Sequence, residues 1–410
     1  MKTIAIIATA DTKAEEMDFV EHFIAAHGLR TLSIDVSTRL HEGKKADIGP
    51  QETACKGGFS EENFLRPKTK SEAIEMMRGC VTNLVRDLYT EGKIDGVIGF
   101  GGLQNSLIAA SAMQELPLGF PKMIVSTVAS GNRKFGLLTG TKDIVVMPSI
   151  ADLAGINPLV ESILSNAAAG IVGMVKYGGE VFSPKNLLVG ATIMGATNAG
   201  IEESIRLVRS NGFDVVTFHS TGVGGATLES LIFEGKIQAV MDLCLHEIVS
   251  EDIFGAGFSV GAKNRLTAAA TMQIPMLLSP AGLDFIDFDL DELEKSKRVD
   301  LATRKYTLHN KGTAHIKLTP TEARAAAEVV VARLANYTAE GAMIMPLRGL
   351  RSETQQGEKL FDPEVDEAIF DTFRKQLNRK IKIIELDCHL SSPEFSQKAS
   401  ETMIDLIRRR

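Results

Sequence analysis

Short apolar runs rich in β-branched residues recur along this chain, and a helical pattern follows almost every one. In the first half the runs are "TIAIIA" (3–8), "LRTLSIDV" (29–36), "DGVIGF" (95–100), "KMIVST" (122–127) and "DIVVMP" (143–148). Helical patterns lie near 13–27, 69–91, 103–115 and 157–176, the second with Thr69 or Ser71 available to cap it. The runs are continuous rather than alternating, as strands are when helices cover both faces of a sheet. Strands joined through helices make right-handed crossovers, and these wind a mostly parallel sheet in both directions.

A turn-forming stretch, "KYGGEVFSPKN" (176–186), interrupts the pattern, which then restarts. Strand candidates follow at 186–195, 213–222, 237–245, 274–282, 341–349 and 380–389, with helices near 199–211, 225–234, 321–338 and 366–378. The expected fold is therefore α/β, with two Rossmann-like doubly wound domains and mostly parallel sheets. The first spans 1–179 and holds the nucleotide; the second spans 180–410 and holds the substrate.

Composition bounds the partners. With 410 residues, 44% hydrophobic and 24% charged, the chain reads as globular. No apolar run reaches the roughly 18 residues of a membrane span. The opening "MKTIAIIATADTK" reads as a first strand rather than a signal sequence, because Asp11 and Lys13 follow at once. Cys55, Cys80, Cys244 and Cys388 are isolated, so reduced thiols and a cytoplasmic location are expected. A net charge of −7 weighs against a nucleic-acid partner.

Ligands of open parallel sheets sit beyond the carboxyl ends of the strands. In the first half that rule selects three polar loops. "TADTK" (9–13) enters a helix whose free N–H groups favour an anion. Thr9 and Thr12 offer hydroxyls and Lys13 a charge for phosphate. Asp11 either caps the helix, binds magnesium or contacts ribose. In "GFGGLQNS" (99–106), Gly101 and Gly102 permit close approach of backbone to ligand. "STVASGNRK" (126–134) adds Ser126, Thr127, Gly131 and two cations. Each loop alone reads equally well as a cap or tight turn; together they point to nucleotide or phosphate.

The second half carries a different set. "HSTGVGG" (219–225) enters a helix, which suits another anion, and "DLCLHEIVSED" (242–252) gathers His246, Glu247 and Asp252 at a strand end. Asp284, Asp287, His309, His315, Glu385, Asp387 and His389 lie near other strand ends, and Arg348 and Arg351 suit carboxylate or phosphate. Singly these are ordinary satisfied polar residues; together they supply acid–base groups. His246 or His309 is the expected base, with Glu247 or Asp252 orienting it and His219 converging on the same crevice. No spacing fixes a transition metal.

Taken in order, "TADTK", "GFGG", "LPLGFPKMIVSTVASG", "DIVVMPSIADLAGINPLVESILSNAAAG", "FHSTGVGGATLE", "PLRGLRSE" and "FDPEVDEAIFDTF" resemble a known family. It is the family of the plant tobamovirus-resistance protein, in its N-terminal nucleotide-binding region, which many bacteria carry as a stand-alone protein. The resemblance covers almost the whole chain. It implies two Rossmann-like domains, ATP with Mg2+ in the first, and a homodimer. By motif the ATP loops are Thr9 to Lys13, Gly101 with Gly102, and Ser126 to Gly131, with Asp11 toward the metal. The family's Ser-x-Gly-Thr after Gly-Gly is replaced here by "LQNS" (103–106), and its His-Ile-Asn-Asp-Pro by "HLSSP" (389–393). The expected function is an ATP-binding cytoplasmic enzyme acting on a small anionic metabolite in an interdomain cleft. The alternatives are a nucleotide-dependent binding protein without turnover, and a nucleotide-independent lyase, isomerase or hydrolase of sugar acids.

Overall fold

A computed structural model describes residues 1–66, 69–129, 138–257 and 259–409, which form two compact units, 1–182 and 183–410. In the first, β1 (Thr3–Ala8), β2 (Arg30–Asp35), β3 (Gly96–Gly101), β4 (Lys122–Ser126) and β5 (Val145–Pro148) form a parallel sheet in the order β2-β1-β3-β4-β5. The continuous apolarity of β1 follows from this layering. Ala5 and Ile7 face a core built with helices Lys70–Thr90 and Leu103–Gln114, while Ile4, Ile6 and Ala8 face one built with Ala14–Ala26 and Pro158–Tyr177. Alternate side chains of a strand point to opposite faces, so a sheet covered twice needs apolar residues throughout.

Local signals set the helix ends. Thr69 makes a reciprocal capping box with Glu72, accepting the Glu72 N–H at 3.3 Å while its own N–H donates to the Glu72 carboxylate at 2.8 Å. Pro158–Tyr177 is long and apolar enough to cross a membrane by length and composition, which reading for uninterrupted apolar runs missed. Its Leu164, Ala168, Ile171 and Val175 are spent in the core.

The second unit has six parallel strands: β6 (Leu188–Ile193), β7 (Asp214–His219), β8 (Ala239–Asp242), β9 (Met276–Leu278), and, after an insertion, β13 (Gly341–Pro346) and β14 (Ile381–Leu386). Their order is β14-β13-β9-β8-β6-β7. The insertion is a small antiparallel sheet of β10 (Phe285–Asp289), β11 (Tyr306–Asn310) and β12 (Thr313–Lys317), in the order β10-β12-β11. It pairs Asp287 with His315, and His315 with Thr307. The sequence pattern assigns no strand here. Buried β10 and β12 carry Asp287, His315 and Lys317 among their apolar residues, and β11 is mostly exposed, so no continuous apolar run announces these strands.

The packing of β3 against its crossover helix makes a direct test. A Cβ at Gly99 would stand 2.5 Å from the Ala109 Cβ, both in the covered core. Gly99→Ala should lower stability by about 1–3 kcal/mol, the usual cost of overpacking, read as a shifted denaturation midpoint with an unchanged slope.

Candidate functional site

In the order β2-β1-β3-β4-β5, the crossovers leaving β1 and β3 diverge, which opens a crevice at their carboxyl ends. A cleft of about 730 Å³ lies there. Its polar wall comes from the loop after β1 and the helix after β3. Asn105 Nδ2 donates to Thr9 Oγ1 at 2.7 Å, and Thr9 Oγ1 lies 2.9 Å from Thr12 Oγ1. Asn105 thus occupies the position where "LQNS" departs from the family pattern. Gly101, at φ +147°, makes room for it, since a Cβ there would stand 2.7 Å from the Asn105 amide nitrogen.

Three cations, Arg39, Arg66 and Lys70, also line the cleft, and none was read from the sequence: Arg39 lies in the loop after β2, while Arg66 and Lys70 flank the start of helix Lys70–Thr90, away from any strand end. The remaining wall is apolar and includes Leu40, Phe64, Leu65 and Ile74. Leu40 is 55% and Leu65 52% exposed, unusual positions for leucine beside a charged rim.

Buried Asp35, at the end of β2, holds the two loops that form this entrance. Its Oδ1 accepts from the Ala10 N–H at 3.0 Å, the Ser37 N–H at 2.8 Å and the Ser37 hydroxyl at 2.6 Å; its Oδ2 lies 2.7 Å from His41 Nε2. One carboxylate therefore ties residue 10 to residues 37 and 41.

The expected first-half residues fall as follows. Thr9, Asp11 and Thr12 line the cleft. Asp11 makes no cap; it lies 3.5 Å from Arg39 Nε. Lys13 is off the lining, its ammonium 3.2 Å from the Thr12 carbonyl. Gly102 precedes helix Leu103–Gln114, with only the Thr127 hydroxyl near where a Cβ would sit. Ser126 is buried and accepts from the Ser106 hydroxyl at 2.7 Å. Gly131 lies outside the described residues.

In the second unit the helix N-terminus after "HSTGVGG" already has its anion. Glu247 Oε1 accepts the N–H groups of Gly222 and Gly225 at 2.6 and 3.0 Å, so the group expected as a catalytic orienter fills the site expected for a ligand. A Cβ at Gly225 would stand 1.9 Å from the other oxygen of Glu247, so only glycine admits the carboxylate. That oxygen accepts from Arg265 Nε at 2.6 Å. The same fully buried guanidinium donates to Glu229 at 2.7 Å and to Asp242 at 2.7 and 2.9 Å. Glu229 in turn accepts the N–H groups of Leu266 and Ala268. Burial pushes the carboxyls of Glu229 and Glu247 up, against the pull of Arg265.

The inserted sheet presents a second polar network on one face. His246 is stacked on Phe285 with ring centroids 4.1 Å apart. Its Nδ1 lies 3.1 Å from the Gly282 carbonyl and its Nε2 3.0 Å from Asp287, so acceptors occupy both nitrogens. The orienting partner of His246 is thus Asp287, not Glu247 or Asp252. Although burial works to raise it, the Asp287 carboxyl is held low by His246, His315 and Ser259.

His315 Nδ1 donates to Glu353 at 2.9 Å. Glu353 also accepts from Arg351 Nη1 and the Thr307 hydroxyl, both at 2.8 Å. Against burial, these partners bring its carboxyl down to about 2. Lys317 bridges buried Asp284 and Asp366 at 2.9 and 2.8 Å. The Arg351 guanidinium lies 3.7 Å over the Phe285 ring.

Of the expected catalytic residues, His246 and His309 belong to this network, His309 as an exposed ring stacked 4.7 Å from His315. Asp252 instead pairs with Arg333 at 2.6 Å, and His219 is exposed. Successive residues His246 and Glu247 serve separate networks. Among the described residues, no group of three or more His, Cys, Asp or Glu is placed to hold a metal.

Comparison with known proteins identifies the lineage. The chain belongs to the uncharacterised protein family UPF0261, whose N-terminal domain profile matches residues 2–180 and whose C-terminal domain profile matches 186–407. A UPF0261 protein of Clostridium tetani is 33% identical over the whole of both chains. The ToMV resistance protein Tm-1(GCR237) of Solanum lycopersicum is 27% identical over 98% of this chain, which spans 55% of the tomato protein. The expected resemblance is thereby borne out. Among solved structures, the UDP-GlcNAc 2-epimerase of Methanocaldococcus jannaschii aligns over 68% of this chain and 83% of its own, at 10% identity. Its TM-score of 0.22 is too loose to carry any inference here.

Removing the guanidinium at the centre of three carboxylates strands their charges. Arg265→Met should cost about 3–5 kcal/mol, the usual penalty for leaving a buried ionic partner uncompensated. Because burial raises Glu229 and Glu247, their contribution favours the folded state most at low pH and is lost as pH rises through their raised values. The variant should therefore regain stability as pH is lowered from neutral toward 5, which denaturation midpoints over that range will read.

Proposed function

We propose that the first unit binds a nucleoside triphosphate, ATP with Mg2+, and that the protein is a cytoplasmic enzyme using it on a small anionic metabolite held by the second unit. The cleft at the carboxyl ends of β1 and β3 is the observation that carries this reading. Its volume of about 730 Å³ falls within the range of small-molecule sites. Its chemistry is divided as a nucleotide is. Thr9, Thr12, Arg39, Arg66 and Lys70 suit phosphates, and the apolar wall of Leu40, Leu65 and Ile74 suits a base.

The residues present fit the absent groups. Helix Leu103–Gln114 begins at Gly102 with no side-chain cap, leaving N–H groups for an anion. Magnesium commonly takes one or two carboxylates plus phosphate oxygens and water, and Asp11 supplies one carboxylate on the lining. When bound, Mg-ATP would supply a phosphoryl group with its charge partly neutralised; the chain's own task is to hold the triphosphate and exclude water. For the metabolite, the second unit offers Lys317 and Arg351 among its buried cations.

Cys55, Cys244 and Cys388 are free thiols, in keeping with a reducing compartment. The family resemblance adds a homodimer to the reading. A second reading, nucleotide binding without turnover, draws on the cation-lined cleft alone; ATP consumption on addition of a metabolite separates the two.

Thr12→Val and Lys70→Ala should each weaken Mg-ATP binding roughly tenfold, as expected for loss of a charge-assisted hydrogen bond of about 1.5 kcal/mol. Lys13→Ala, off the lining, should change it less. Titration calorimetry with Mg-ATP reads all three. Equal affinities for wild type and the two cleft variants would move the nucleotide elsewhere, and no heat at all would remove it.

A further inference from the structure

We propose that the second unit contains a proton-transfer site of its own, in which Nε2 of His315, oriented by Glu353, takes the hydroxyl proton of a small carboxylate seated on Arg351. The substrate class rests on the reading above; the base itself requires no nucleotide.

The geometry is that of a base with its orienter. His315 Nδ1 donates to Glu353 at 2.9 Å, which fixes the proton on that nitrogen and turns Nε2 outward. No hydrogen bond engages Nε2 among the described residues, whereas both nitrogens of His246 have acceptors. Glu353 is committed to the ionised state by three donors, from His315, Arg351 and Thr307. It can therefore stabilise the imidazolium that forms when Nε2 gains a proton.

A register shift between Leu308 and Asn310 places His309 opposite no partner and lays its exposed ring on His315. Bulges re-aim side chains in this way and are frequent beside active sites. His315 itself keeps 6% of its surface exposed, beside the exposed ring of His309.

Arg351 supplies the anchor. Its Nη1 is spent on Glu353, while Nε and Nη2 are buried without a hydrogen-bond partner. Those two nitrogens form the forked edge that matches a carboxylate. Asp284 Oδ2, 3.4 Å from Nε, balances charge without a hydrogen bond, and Asp284 Oδ1 also lacks a hydrogen-bond partner. In the step itself the substrate O–H bond breaks and an Nε2–H bond forms. The electron pair stays on the substrate oxygen, and the new cation faces Glu353.

Diethyl pyrocarbonate, which acylates an unprotonated imidazole nitrogen, tests this on the nucleotide-free full chain with malonate as the probe. Peptide mass spectrometry at pH 7 should find His315 acylated, with exposed His219 as the reactive reference and buried His246 unmodified. Malonate at about twice its Kd should slow the reaction at His315 roughly threefold by occupancy and leave His219 unchanged. Glu353→Gln should slow His315 selectively, and the wild-type arms stand alone if that variant does not fold. Failure of His315 to react, or a rate indifferent to malonate, overturns the proposal and leaves a structural ion pair. Equal protection by inorganic phosphate would overturn the carboxylate assignment. None of these outcomes bears on ATP binding, which calorimetry decides separately.

Discussion

One buried guanidinium organises the carboxyl end of the second unit's sheet. Arg265 reaches Asp242 at the end of β8, Glu247 in the segment that follows, and Glu229 on the helix after β7. Each carboxylate carries that anchorage onward. Glu247 takes the first N–H groups of helix Val223–Phe233, and Glu229 takes those of Leu266 and Ala268. Asp242 accepts the Thr192 hydroxyl at 2.8 Å, reaching the end of β6. Leu266, a non-glycine residue at φ +70°, persists because these bonds over-determine it. Three strand-end loops thus depend on one side chain. Desolvation makes such a knot a poor source of net stability, so its effect is to fix one arrangement of these loops.

The two units use one winding rule to opposite ends. Both place a strand-order reversal beside their first strand, and both feed helix N-termini toward the resulting crevice. In the second unit Glu247 supplies the anion those termini favour, and the crevice is filled from within. In the first unit the corresponding carboxylate, Asp35, stays in the loops and binds backbone beside the cleft rather than across it. Helix Leu103–Gln114 then begins uncapped at an open volume. The difference between a rigid end and a receptive one comes down to where a single acid is tethered.

Much of this was legible in the sequence because burial on both faces of a sheet forces apolar continuity, which runs of Ile, Val and Ala disclose. The strand-end loops were legible for the same reason, since "TADTK" must lie where β1 stops. What stayed hidden depends on contacts between distant segments. Nothing local marks Arg265 as the partner of residues 229, 242 and 247. The helix entry at "HSTGVGG" signalled an anion correctly, but that anion is Glu247 rather than a ligand. Arg66 and Lys70 reach the cleft from around the start of helix Lys70–Thr90, far from a strand end, and Arg39 from the loop after β2. The inserted sheet escaped because buried β10 and β12 are broken by Asp287, His315 and Lys317, and β11 is exposed, so none shows a continuous apolar run.

That insertion is also where the second unit departs from a plain doubly wound sheet, and its chemistry follows from register. Antiparallel pairing sets Asp287, His315 and Thr307 side by side, and the period of two adds Phe285 and Lys317 to the same face. A slip of one residue would turn all five over and bring Ile286, Ala314 and Ile316 to the polar side. The face is therefore fixed by the apolar residues beneath it, which are fully buried. His246 and Arg351 then close upon Phe285 from outside the sheet. The aromatic ring gives the Arg351 guanidinium a surface that neither solvates nor neutralises it, so its charge must be met by Glu353 and Asp284, while Asp287 lies against His246 Nε2. Charge balance within this layer thus selects which acids stay ionised, and the hydrogen bonds they accept select which nitrogen of His315 faces outward.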